Sequence, residues 1–94
     1  MNRDPRYKSI KSMVNDGEIK SFIEIFEHIP KSRVAADLGK KVDRFTVLMN
    51  QVEQFKLVEL FRIGALCNLT ATQTLELVKV EYLKKNSDVL KVTS

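Results

Sequence analysis

Apolar residues recur at three- and four-residue intervals along most of the chain, and that spacing predicts one helix after another. Ile10, Met13 and Val14 mark a short helix over residues 7–14, which Asn15-Asp16-Gly17 ends with turn chemistry. Over residues 18–28, Ile19, Phe22, Ile23, Phe26 and Ile29 share a face opposite the acidic residues, predicting an amphipathic helix that Pro30 stops. Val34, Ala35 and Leu38 write the next helix, which Gly39 ends because glycine enters the left-handed conformation without steric cost. From Asp43 onward Phe45, Leu48, Met49 and Val52 write another. After a short connection at 51–55, Leu57, Leu60, Phe61 and Gly64 point a helix over 56–66 toward the core. A last helix, capped by Thr70 or Thr72, runs through Leu75, Val78 and Tyr82 to about residue 85. With no alternating pattern to make a strand, the expectation is a compact all-α domain of five to six helices over residues 7–85. Residues 1–6 read as a flexible basic arm and 86–94 as a C-terminal tail.

Charge placement sharpens this picture more than the net value of +4 does. Residues 15–29 carry Asp16, Glu18, Glu24 and Glu27 against Lys20, a net −3. Residues 30–51 carry Lys31, Arg33, Lys40, Lys41 and Arg44 against Asp37 and Asp43, a net +3. An acidic helix therefore precedes a basic pair of helices, the polarity that a phosphate-facing surface requires.

The basic pair, RVAADLGKKVDRFTVLMN at residues 33–50, is similar to the helix-turn-helix of the phage-repressor type, the Cro, lambda-repressor and XRE-like group. That family orders a Leu-Ala pair, a Leu-Gly pair, a short turn and apolar residues on the buried side of a recognition helix. Val34-Ala35, Leu38-Gly39, Phe45 and Leu48 match that order, and KLVELFRIGALCNL at 56–69 resembles the helix that follows. The chain departs from the pattern at Lys40, where the family has an apolar turn residue, and it lacks a Ser or Thr cap on the recognition helix. The resemblance implies a lambda-repressor-like fold and sequence-specific binding of double-stranded DNA by a small bacterial or phage transcriptional regulator. It also implies a homodimer on two half-sites, which would use the N-terminal helix, the last helix or the tail. With no apolar run of membrane length and no apolar stretch behind the basic N-terminus to make a secretory signal, the expected location is the cytoplasm.

With Phe45 and Leu48 inward, Val42, Asp43, Thr46, Val47 and Asn50 face outward as candidate base contacts. Asn50 suits adenine, the two valines suit thymine methyls, and Asp43 either accepts from cytosine or, as the preferred account, caps the helix. Lys31, Arg33, Lys40, Lys41 and Arg44 are the candidate phosphate contacts. Other chemistry finds little footing. One histidine, His28, and one cysteine, Cys67, leave no His/Cys metal set and no internal disulfide, and Cys67 reads as a buried hydrophobe compatible with a reducing compartment. There is no Gly-rich phosphate loop and no nucleophile–base motif, so neither an enzyme nor a cofactor is expected. No apolar run reaches the roughly 18 residues of a membrane span. Asp43 and the outward valines equally suit a protein-interaction module on the same helical fold that does not bind DNA.

Overall fold

Five α-helices and two 3-10 segments follow one another among residues 4–86, the span that the computed structural model describes. The α-helices are α1 (Arg6–Asn15), α2 (Lys31–Leu38), α3 (Val42–Asn50), α4 (Leu57–Leu66) and α5 (Ala71–Lys85). The 3-10 segments, Phe22–Glu27 and Val52–Gln54, precede α2 and follow α3. The all-helical expectation therefore holds for the described residues.

Local chemistry sets most of the ends. Gly17 takes φ +79 after α1, and Thr70 caps α5: its hydroxyl accepts from the Gln73 amide N–H at 3.1 Å while the Gln73 side-chain oxygen accepts from the Thr70 N–H at 3.0 Å. The expected arm is shorter than six residues. Arg6 already belongs to α1, and Asp4 accepts from the Arg6 backbone N–H at 2.9 Å and pairs with its guanidinium. Residues 1–3, and with them the first part of the arm, lie outside the described residues, as do residues 87–94 of the tail.

Three expectations about phase are corrected. The helix expected over 18–28 is a 3-10 segment of six residues, and Ile25 is buried where Ile23 and Phe26 are only half-buried. In a 3-10 segment residues three apart eclipse, so Phe22 and Ile25 align, and Ile23 and Phe26 turn away from them. On α4 the buried face is Leu60, Ile63 and Gly64, while Leu57 and Phe61, expected in the core, are exposed. On α5 the buried residues are Thr74, Leu77 and Glu81, and Leu75 points outward. One contact fixes the phase of both helices. A Cβ built on Gly64 would stand 2.0 Å from the Thr74 hydroxyl oxygen, so α4 and α5 pack backbone to side chain there and rotate every neighbour accordingly.

The core gathers around four aromatic rings. Phe22 meets Phe26 and Phe55 edge to face at centroid distances of 5.5 and 5.8 Å, and Phe45 meets the same two at 5.4 and 5.7 Å. The result is a closed circuit joining the first 3-10 segment, α3 and the connection after it. Val34, Ala35, Leu48, Val52, Leu60, Ile63, Cys67 and Leu77 pack in the same buried cluster.

The α4–α5 crossing gives the first prediction. Gly64→Ala should cost about 1–3 kcal/mol of stability, as inserted core volume does. Adding Thr74→Ala, which removes the clashing hydroxyl, should recover part of it. Thermal melts of the two variants check this; a Gly64→Ala protein as stable as the parent would contradict the crossing.

Candidate nucleic-acid interface

The presentation of α3 begins at the turn before it. Gly39 adopts φ +73, ψ 28 directly after Leu38, the Gly39 N–H bonds to the Ala36 carbonyl at 3.1 Å, and the Lys40 N–H bonds to the Ala35 carbonyl at 2.9 Å. This pairing of two amides with the last carbonyls of α2 is the Schellman motif, in which the residue after the glycine ordinarily makes an apolar contact. Lys40 occupies that place and supplies a charge where an apolar turn residue was expected. Its ammonium instead pairs with the Glu59 carboxylate on α4. Glu59 also accepts from the Lys56 N–H at 2.9 Å, so one carboxylate starts α4 and ties it to the α2–α3 turn. The Lys40 ammonium, then the Lys56 N–H, hold the Glu59 carboxyl below its ordinary value of 4.5 despite partial desolvation.

A second carboxylate steadies α2. Asp37 accepts from the Tyr7 hydroxyl at 2.7 Å and from the Arg33 guanidinium at 2.8 Å, linking α1 to α2. Burial first and the Asp37 hydrogen bond second push the Tyr7 phenol well above its ordinary value, so it stays a neutral donor. At its far end α3 is held by α5, where the Lys85 ammonium donates to the Asn50 carbonyl at 2.7 Å. This cation at the α3 C-terminus was not anticipated, because 35 residues separate the two in sequence. Favourable pairing with a helix C-terminus is its physical basis.

The predicted site residues differ in exposure and in the partners they already have. Phe45 and Leu48 are buried, and Val42, Asp43, Val47 and Asn50 are exposed on α3, with Val42 at 39% and Val47 at 47% exposure. Thr46 is half-buried, and its hydroxyl donates back to the Val42 carbonyl at 2.9 Å, while the Asn50 amide donates to the Thr46 carbonyl at 3.1 Å. Lys41 and Arg44 are exposed at the start of α3 and enter no ion pair among the described residues, whereas Lys40 and Arg33 are engaged by Glu59 and Asp37. Lys31 is half-buried at the start of α2.

The capping role preferred for Asp43 is corrected. The helix starts at Val42, one residue earlier than expected, so the N-cap falls on Lys41, whose extended backbone (φ −72, ψ 142) offers no side-chain acceptor. Asp43 sits inside the first turn, where a carboxylate is favoured by the partial positive charge of the helix start. Away from α3, a groove of about 490 Å³ opens between the end of α1 and α5, walled by Val14, Ile19, Leu77 and Val80. Among the described residues no three His, Cys, Asp or Glu side chains converge as metal ligands, and no helix is long and apolar enough to cross a membrane.

Two predictions test the turn. An added Cβ at Gly39 meets nothing within 4 Å, so the cost of substitution there is conformational alone. Gly39→Val should cost on the order of 1–3 kcal/mol and Gly39→Asn distinctly less, since Asn tolerates the left-handed region; equal melting temperatures would refute the turn geometry. The second concerns acid. A carboxylate whose folded value lies below 4.5 adds stability above that value and loses it as pH falls through the lowered one. Glu59→Gln should therefore be less stable than the parent near neutrality, and the two stability curves should converge as pH falls below 4.5 in melts followed by circular dichroism.

No family model matches this chain, and comparison with curated proteins and with solved structures returned no significant match.

Proposed function

We propose that α2, the Gly39 turn and α3 act as a helix-turn-helix that binds double-stranded DNA sequence-specifically, with α3 in the major groove, in a small transcriptional regulator of bacterial or phage type. The observation that carries this reading is the division of labour on α3. One face is locked into the core by Phe45 and Leu48, and the opposite face stands open with groups able to meet base edges. Lys41 and Arg44, exposed at the helix start, supply phosphate contacts that set the helix in register. Lys40 and Arg33, with carboxylates of their own, serve the fold first and the phosphates second.

A second reading, a protein-interaction module that leaves DNA alone, is favoured by a different surface. Leu57, Val58 and Phe61 are all exposed within one stretch of α4, Leu57 at 62%. Three large apolar side chains side by side suit a protein partner better than a phosphate backbone.

Salt separates the two. Duplex binding followed by fluorescence anisotropy should fall steeply with ionic strength. Lys41→Ala and Arg44→Ala should each lower the slope of log K against log salt by about 0.9, and Lys40→Ala by less because Glu59 already holds its charge. If random duplex DNA is not retained at low or physiological salt, the interaction-module reading takes its place.

A further inference from the structure

The outward stripe of α3 offers acceptors and methyl groups but almost no donors. At 100° per residue, Asp43, Thr46, Val47 and Asn50 line the side opposite Phe45 and Leu48, with Val42 at one edge. Arg44 falls on the other edge, next to the buried Leu48, and Lys41 precedes the helix, so no cation projects from the middle of the stripe. The polar groups there are partly spent. The Thr46 hydroxyl proton goes to the Val42 carbonyl at 2.9 Å, leaving oxygen lone pairs outward. One Asn50 amide proton goes to the Thr46 carbonyl at 3.1 Å. What remains is the Asp43 carboxylate, the Thr46 and Asn50 oxygens, a single amide proton, and the exposed methyls of Val42 and Val47.

Guanine presents two acceptors in the major groove, N7 and O6, and is read by a fork of two donors. The stripe has no such fork. Pyrimidines carrying a C5 methyl present an apolar group that Val47 and Val42 can cover, and cytosine and adenine present an amino proton that Asp43 can accept. Resting on the DNA-binding reading above, we infer that α3 recognises the C5 methyl group of pyrimidines, in thymine or 5-methylcytosine, and does not read guanine.

The test uses the full chain and the duplex it retains from a random pool. Each thymine in the retained site is replaced singly by uracil, cytosine and 5-methylcytosine, with the partner base matched, and each guanine by 7-deazaguanine, all at one salt concentration. At one position or more in each half-site, removing the methyl should weaken binding about 3- to 5-fold, the value of burying one methyl-sized apolar group. The step should appear for thymine against uracil or for 5-methylcytosine against cytosine, and the larger of the two steps names the pyrimidine. Val42→Ser and Val47→Ser made together, both at exposed positions, should abolish that difference, and the double variant should melt like the parent. The 7-deaza substitutions should leave affinity within about 2-fold, since a donor fork on N7 is worth far more. Tight binding that is indifferent to every methyl, a methyl step that survives the loss of both valines, or a large loss with 7-deazaguanine would overturn the inference and leave DNA binding standing. A pool from which no duplex is retained would overturn both.

Discussion

Four phenylalanine rings in a closed circuit hold α3 where it is. Phe45 is the one ring that α3 contributes, and it meets Phe26 and Phe55 edge to face, while Phe22 closes the loop from the other side. Each such pair adds about 0.5–1.5 kcal/mol beyond the area it buries, and edge-to-face geometry is directional. The circuit therefore fixes the rotation of α3 as well as its position. With Phe45 and Leu48 turned inward, Asp43, Val47 and Asn50 have nowhere to go but outward.

The ends of α3 are governed by charge instead. At its start, the Schellman turn places Lys40 against Glu59, which at the same time accepts the N–H that opens α4. At its finish, Lys85 donates to the Asn50 carbonyl. α4 and α5 thus hold the two ends of one nine-residue helix. Its exposed groups sit on a framed element rather than on a loop, and framing of that kind is what a surface needs if its side chains are to discriminate between base edges.

Two further long-range polar contacts serve the join between α5 and the first 3-10 segment. Buried Glu81 accepts from the Ile23 N–H at 3.3 Å, and the Lys84 ammonium donates to the Ser21 hydroxyl at 3.2 Å. Buried polar atoms tolerate such a position only when satisfied, and among the described residues none is left without a partner. The segment that carries Phe22 and Phe26 is thereby pinned from behind by α5, which lets its two rings meet Phe45 and Phe55 in one arrangement.

Spacing and turn chemistry alone settled a good deal here. Gly39 and Gly17 ended their helices in the left-handed conformation, Thr70 capped α5, Cys67 was buried, and Phe45 and Leu48 fixed the inward face of α3. These features depend on residues within one turn of each other, and that is the range over which a sequence specifies its own geometry. What escaped depended on partners far away in the chain. Gly64 and Thr74 set the rotation of α4 and α5 and so sent Leu57, Phe61 and Leu75 outward, against their apolar spacing. Phe55 looked like part of a connection until Phe22 and Phe45 closed around it. On α3 and the turn before it the identity of the outward residues was legible, but not that Glu59 takes Lys40, that Asp37 takes Arg33, or that Lys85 reaches the end of α3. A period of 3.6 says which residues share a face; only packing against the other helices decides which face is buried and which charges are already matched.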